Sequence, residues 1–229
     1  MILSRRGLTG RTVVTEQALC YREPVPRPRV YDHDRVLDAV ESLAARSGPA
    51  AVTIRAVSAD TGASNGAVYH AFGSRAGLIA AAWLRAARRF LAVQGELIGG
   101  ASDPHAAVIA AAEAPAVFAE RHPDACALLF AIRRDELADD TLPAALGEQL
   151  RSIGSEFVGV LIALADALWK RRDATAVDTI TTCVVDLPTA VIVNRNRLGS
   201  NAARAHLQAA VRAVLSVGPP HREEPAKWT

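Results

Sequence analysis

The stretch Thr53 to Arg75, TIRAVSADTGASNGAVYHAFGSR, has the pattern of two short helices joined by a tight turn. In the first, Ile54, Val57 and Thr61 fall on one face at i, i+3 and i+7, and Thr53 precedes it with a hydroxyl able to accept from a free backbone N–H. Gly62 ends that helix, because glycine enters the left-handed region without steric cost. Ser64 caps a second helix in which Val68 and Phe72 point inward at i and i+4, leaving Asn65, Gly66, Tyr69 and His70 on other faces. Gly73 stops this helix and Ser74 caps the next.

Two short helices with a glycine turn form a helix-turn-helix, a motif that usually sets its second helix in the DNA major groove. The outward residues suit that use. Thr53, Arg55, Tyr69, His70, Ser74 and Arg75 are placed to hold phosphates, and Asn65 to read base edges, with close approach allowed by the small Ser64, Gly66 and Ala67. An ordinary helical hairpin inside an α-helical core would satisfy the same apolar spacing.

The full arrangement separates these alternatives. Thr53, the Gly62-Ala63-Ser64 turn, Gly66-x-Val68-Tyr69-x-x-Phe72-Gly73-Ser74-Arg75 and Leu78 together resemble the DNA-binding domain of the TetR family of bacterial transcriptional regulators. The resemblance begins near Tyr31, covers about a fifth of the chain, and fades after the early nineties. Two positions depart from the family pattern: Asn65 stands where a lysine or arginine is common, and Ala71 where a histidine or tyrosine often touches phosphate. The resemblance implies an all-α protein with an N-terminal three-helix DNA-binding domain and an α-helical regulatory and dimerisation domain. It also implies a homodimer on a double-stranded operator and a ligand-responsive repressor. A helical dimer that has lost DNA binding and acts through a protein partner is the alternative.

Composition excludes several other classes. Half of the 229 residues are hydrophobic, which describes a folded chain, and a net charge of +2 confines any basic surface to local patches. Cys20, Cys126 and Cys183 are widely spaced and odd in number, as suits reduced thiols in a cytoplasm. The richest apolar run, Phe157 to Ala165, is broken at Asp166, so neither a membrane span nor a secretory signal is expected.

Along the chain, residues 1–30 form a basic arm with six arginines against Glu16 and Glu23, closed by Pro24, Pro26 and Pro28. Residues 31–76 are the helix-turn-helix domain, opened by a support helix with Val36, Leu37, Val40, Leu43 and Ala44 on one stripe. Residues 77–98 are a connecting helix whose later part, with Trp83 and Phe90, is expected in the second core. Its Arg85, Arg88 and Arg89 read as a solvated face, with an interdomain contact as the alternative. Residues 99–217 are a helical ligand-binding and dimerisation domain opened by Gly99-Gly100, and 218–229 a tail. Helices are expected at Pro104–Arg121, Pro123–Arg134, Pro143–Arg172, Ala174–Arg197 and Asn201–Val217, with kinks at Pro115 and Pro188. The surplus apolar face of the Pro143 helix and the stripe Leu207, Val211, Val214 and Leu215 are expected at a dimer interface.

A regulatory pocket would draw on Phe118, Phe130, Phe157 and Trp169 as apolar lining, with Cys126, His122 and Asp186 as polar groups, and would take a small apolar or amphipathic effector. No catalytic, metal or cofactor site is expected. The six histidines lack metal-ligand spacing, and no GxSxG, P-loop or GxGxxG pattern occurs. His105 with Glu113, and Glu120 with His122 and Asp124, read as solvated helix ends.

Overall fold

A computed structural model describes residues 32–137 and 142–220, and among them there is helix but no strand. The basic arm and most of the C-terminal tail lie outside the described residues. Among the described residues nine α-helices follow in order: α1 (His33–Ser47), α2 (Ile54–Thr61), α3 (Asn65–Phe72), α4 (Arg75–Gly99), α5 (Pro104–Arg121), α6 (Pro123–Ala131), α7 (Ala144–Trp169), α8 (Ala174–Thr181) and α9 (Asn201–Val217). Short 3-10 turns stand at Pro49–Ala51 and Arg134–Leu137.

Each helix of the first segment starts where a side-chain oxygen accepts an otherwise free N–H. Thr53 Oγ1 accepts from Ala56 N at 3.1 Å, Ser64 Oγ from Ala67 N at 3.1 Å, and Ser74 Oγ from Gly77 N at 3.0 Å. Gly62 ends α2 in the left-handed conformation at φ 72°, its N–H donating to Ser58 O. The α3–α4 junction is close: a Cβ added to Gly77 would collide with the Phe72 carbonyl oxygen. Only glycine fits there without moving backbone.

Two apolar cores result. The first joins α1–α4 through Val40, Val57, Val68 and Leu78, and extends to Phe118, Leu128 and Leu150 of α5–α7. Trp83 and Phe90 belong to this core, where they meet helices beyond residue 99 while sharing the packing of α1–α3. The second joins α5, the later part of α7, α8 and α9 through Val108, Leu161, Ile180 and Leu207. On α9, Leu207 and Val211 are fully buried and Leu215 nearly so, so most of this stripe serves its own subunit, contrary to its expected place at a dimer interface.

Three polar expectations are corrected. Arg85 is not solvated: its side chain is 13% exposed and binds Asp34, Asp38 and the buried Glu41 of α1, while Arg89 also reaches Glu41. This fixes α4 to α1 by charge. Burial raises the Glu41 carboxyl above its ordinary pKa, with the Arg85 guanidinium acting in the opposite direction. Glu113 and Glu120 are not loose helix ends, since Arg204 binds both and Gln208 binds Glu113 at 2.7 Å, clamping α9 to α5.

The helix expected through Arg197 ends at Val193 and is irregular. Pro188 has no N–H to donate, and the ladder on either side slips to i→i−5 bonds, in π-helical stretches at Thr182–Asp186 and Thr189–Val193. Helix α5 runs through Pro115. Two runs, Ala144–Trp169 and Ala174–Val193, are long and apolar enough to cross a membrane by length and composition, a test that core helices of soluble proteins also pass.

Candidate nucleic-acid interface and apolar cavity

The capped geometry of α2 and α3 sorts the segment's side chains between core and surface. Val68 is buried on α3 and Phe72 half-buried, whereas Ser64, Asn65, Gly66, Tyr69 and His70 are exposed on the same short helix and Ala67 is half-buried. Tyr69 is 55% exposed, so its phenol is open to a partner outside the chain. Thr53 and Arg55 are exposed at the start of α2, and Ser74 is half-buried at the start of α4. The arrangement presents hydroxyls, one amide and one imidazole around small residues. A Cβ on Gly66 would meet nothing within 4 Å, so the protein itself does not require glycine there.

Arg75 has a prior commitment. Its guanidinium donates to the carbonyl oxygens of Val52, Pro49 (2.8 Å) and Ala50 (3.4 Å), tying the start of α4 to the 3-10 turn ahead of α2. These bonds satisfy carbonyls at a turn and hold the recognition elements together. The sequence pattern around Arg75 does not show this role, because the acceptors lie more than twenty residues upstream.

The aromatic residues expected around a pocket divide. Phe130 and Phe157 line an apolar cavity of about 360 Å³ between α4, α6 and α7. Phe118 is fully buried behind it, edge-on to Phe90 at 5.6 Å, and Trp169 packs in the second core. Among the polar groups, the His122 ring meets Phe118 at a tilt of 49°, Asp186 is exposed, and Cys126 is a buried thiol that burial pushes up to about 12. Cys183 is likewise buried and raised to about 11. None of the three lines the cavity.

Trp83, Arg134 and Gly154 line the cavity and were not anticipated there. The Trp83 indole N–H donates to the carbonyls of Leu129 (3.3 Å) and Ile132 (3.1 Å), pinning the end of α6 to α4. A glycine inside the apolar α7 was the available hint. No group of three or more metal-ligating side chains occurs among the described residues.

Comparison with known proteins agrees with this architecture. Residues 36–82 match the model of the bacterial regulatory proteins, tetR family. No curated protein matches the chain in sequence. Among solved structures, a TetR-like transcriptional regulator from Rhodococcus sp. RHA1 is similar, with a TM-score of 0.60 and 20% identity over 83% of this chain and 98% of that one. The TetR family transcriptional regulator PfmR from Thermus thermophilus gives 0.61 and 17% over 82% and 100%. The transcriptional regulator FadR from Bacillus subtilis, solved in complex with stearoyl-CoA, gives 0.59 and 12% over 81% and 98%. Residues 36–82 therefore match the helix-turn-helix module of the TetR family, and the chain that carries them has the fold of the TetR-family transcriptional regulators.

Proposed function

We propose that this protein is a homodimeric, ligand-responsive repressor that binds a near-palindromic DNA operator in the bacterial cytoplasm. The observation that carries the reading is the exposed face of α3: Asn65, Gly66, Tyr69 and His70 stand free on a helix whose other side is locked into the core by Val68. Tyr69, His70, Thr53, Arg55 and Ser74 hold phosphates, and Asn65 reads base edges through the gap left by Gly66. Arg75 acts chiefly by positioning α4 and the turn at Pro49–Ala51.

Two copies are required to read successive major grooves, since the recognition helices must sit about 34–36 Å apart. A surplus of apolar surface supports this. In the apolar windows of Ala144–Trp169 and Ala174–Val193 only 22% and 33% of the residues are buried within the chain, which leaves these helices for a second copy to cover.

The cavity is the effector site in this reading. Two of its three walls belong to α4 and α6, and both pack on α1 of the DNA-binding module. An occupant that separates α4 from α6 therefore acts on α1 directly. A ligand preferring the non-binding spacing by about 1–3 kcal/mol lowers operator affinity roughly 5- to 150-fold.

Selection of bound fragments from random DNA by the purified protein tests the proposal. It is expected to return one inverted repeat; recovery of no preferred sequence would favour the partner-binding alternative.

A further inference from the structure

The cavity has an apolar floor and one cation at its rim. Trp83, Ala87, Leu129 and Ile153, all buried, make the floor, and the Trp83 N–H is spent on two carbonyls, so an occupant finds no donor there. The rim is formed by the exposed Phe130, Val158 and Arg134. Arg134 is the one charged group among the described lining residues, and no described carboxylate stands within ion-pair distance of it.

A second observation concerns where its guanidinium lies. A Cβ built on Gly154 would overlap Arg134 Nη1 and fall 2.9 Å from its Cζ. The guanidinium thus rests on the bare backbone of α7. A mid-helix glycine is less favourable than alanine, and here it makes the space that admits the cation to the cavity edge.

We propose that the occupant is an anionic amphiphile: an unbranched apolar chain on the floor, ended by a carboxylate or phosphate that pairs with Arg134 at the rim. Guanidinium presents parallel N–H donors that match either anion. The inference rests on the reading of this cavity as the effector site and names the chemistry it selects.

Calorimetric titration of the full-length protein without DNA tests it separately from operator binding. The probes are dodecanoate, dodecyl phosphate and dodecanol, which share a chain and differ in the head. At least one of the two anions is expected to bind about tenfold or more tightly than the alcohol. Which of them does so separates a carboxylate head from a phosphate head. Arg134→Met is expected to bring the anion down to the affinity of the alcohol. Gly154→Ala, which keeps the charge but displaces the guanidinium, is expected to reduce the preference while the protein remains folded. Equal affinity for anion and alcohol, no binding of any probe, or an anion preference that survives Arg134→Met would overturn the proposal, whatever the DNA result.

Discussion

The α2–α3 segment and the cavity between α4, α6 and α7 are built on opposite plans. The first is local: three hydroxyl caps and a left-handed glycine fix its turns within about twenty residues, and its outward face follows from them. The second is assembled from helices far apart in the chain and depends on which side of each happens to meet the others. Their arginines show the same contrast. Arg75 gives its N–H groups to three backbone carbonyls, whereas Arg134 lies on α7 beside a cavity with no described acid to neutralise it. One cation holds the protein together; the other is available.

The sharpest way to break this comparison is at Gly66. Since nothing in the protein lies within 4 Å of its added Cβ, Gly66→Leu should leave thermal stability unchanged yet reduce operator affinity by about a hundredfold or more, roughly 3 kcal/mol, by blocking groove entry. Loss of stability in parallel would place the constraint inside the protein.

Next come the two arginines. Arg75→Ala removes charge-assisted bonds to carbonyls and is expected to cost about 1–2 kcal/mol in denaturant melts, after allowance for partial exposure. Arg134→Met should leave the same melt within about 0.5 kcal/mol, as for surface substitutions without partners. Equal losses would dissolve the distinction between them.

A smaller effect is expected at Tyr69. Tyr69→Phe should weaken operator binding by about 0.5–1.5 kcal/mol, and by the same amount on every operator variant, because a phosphate contact carries no sequence information. A changed base preference would move Tyr69 to the reading role given to Asn65.

The smallest concerns pH. Asp173 caps α8 and pairs with Arg171, whose hydrogen bonds hold the carboxyl well below the usual range. A depressed folded-state pKa stabilises above the unfolded carboxylate value of about 3.9 and loses that contribution as pH falls through the folded value. Melting temperatures of Asp173→Asn and the parent should therefore differ at neutral pH and converge in acid; a constant gap would show that the pair is not linked to folding.

Legibility in the sequence follows the same division. Helix boundaries set by local chemistry were readable: Thr53, Gly62, Ser64 and Ser74 mark the observed caps, and Pro104–Arg121 and Asn201–Val217 coincide with α5 and α9. Long-range partners were not. The spacing of Arg85 and Arg89 on α4 is that of a solvated face, and only packing of α1 against it places Glu41 beneath them. Likewise Leu207 and Val211 show an apolar stripe without showing that α5 covers it. At the cavity, residue type alone points to Phe130 and Phe157, while Trp83, Arg134 and Gly154 acquire their relation only when α4, α6 and α7 meet. The charge balance of the module was equally uninformative, since residues 32–76 hold four arginines and five carboxylates.

The most direct measurement is a titration of a fluorescent inverted-repeat operator with wild-type protein and Tyr69→Ala, at two salt concentrations, with the mass of the complex determined by sedimentation. The account predicts saturable binding by two protomers per site, weakened by salt and reduced in Tyr69→Ala while that variant keeps its fold. Binding of equal strength by both proteins, or a single protomer at saturation, would contradict it.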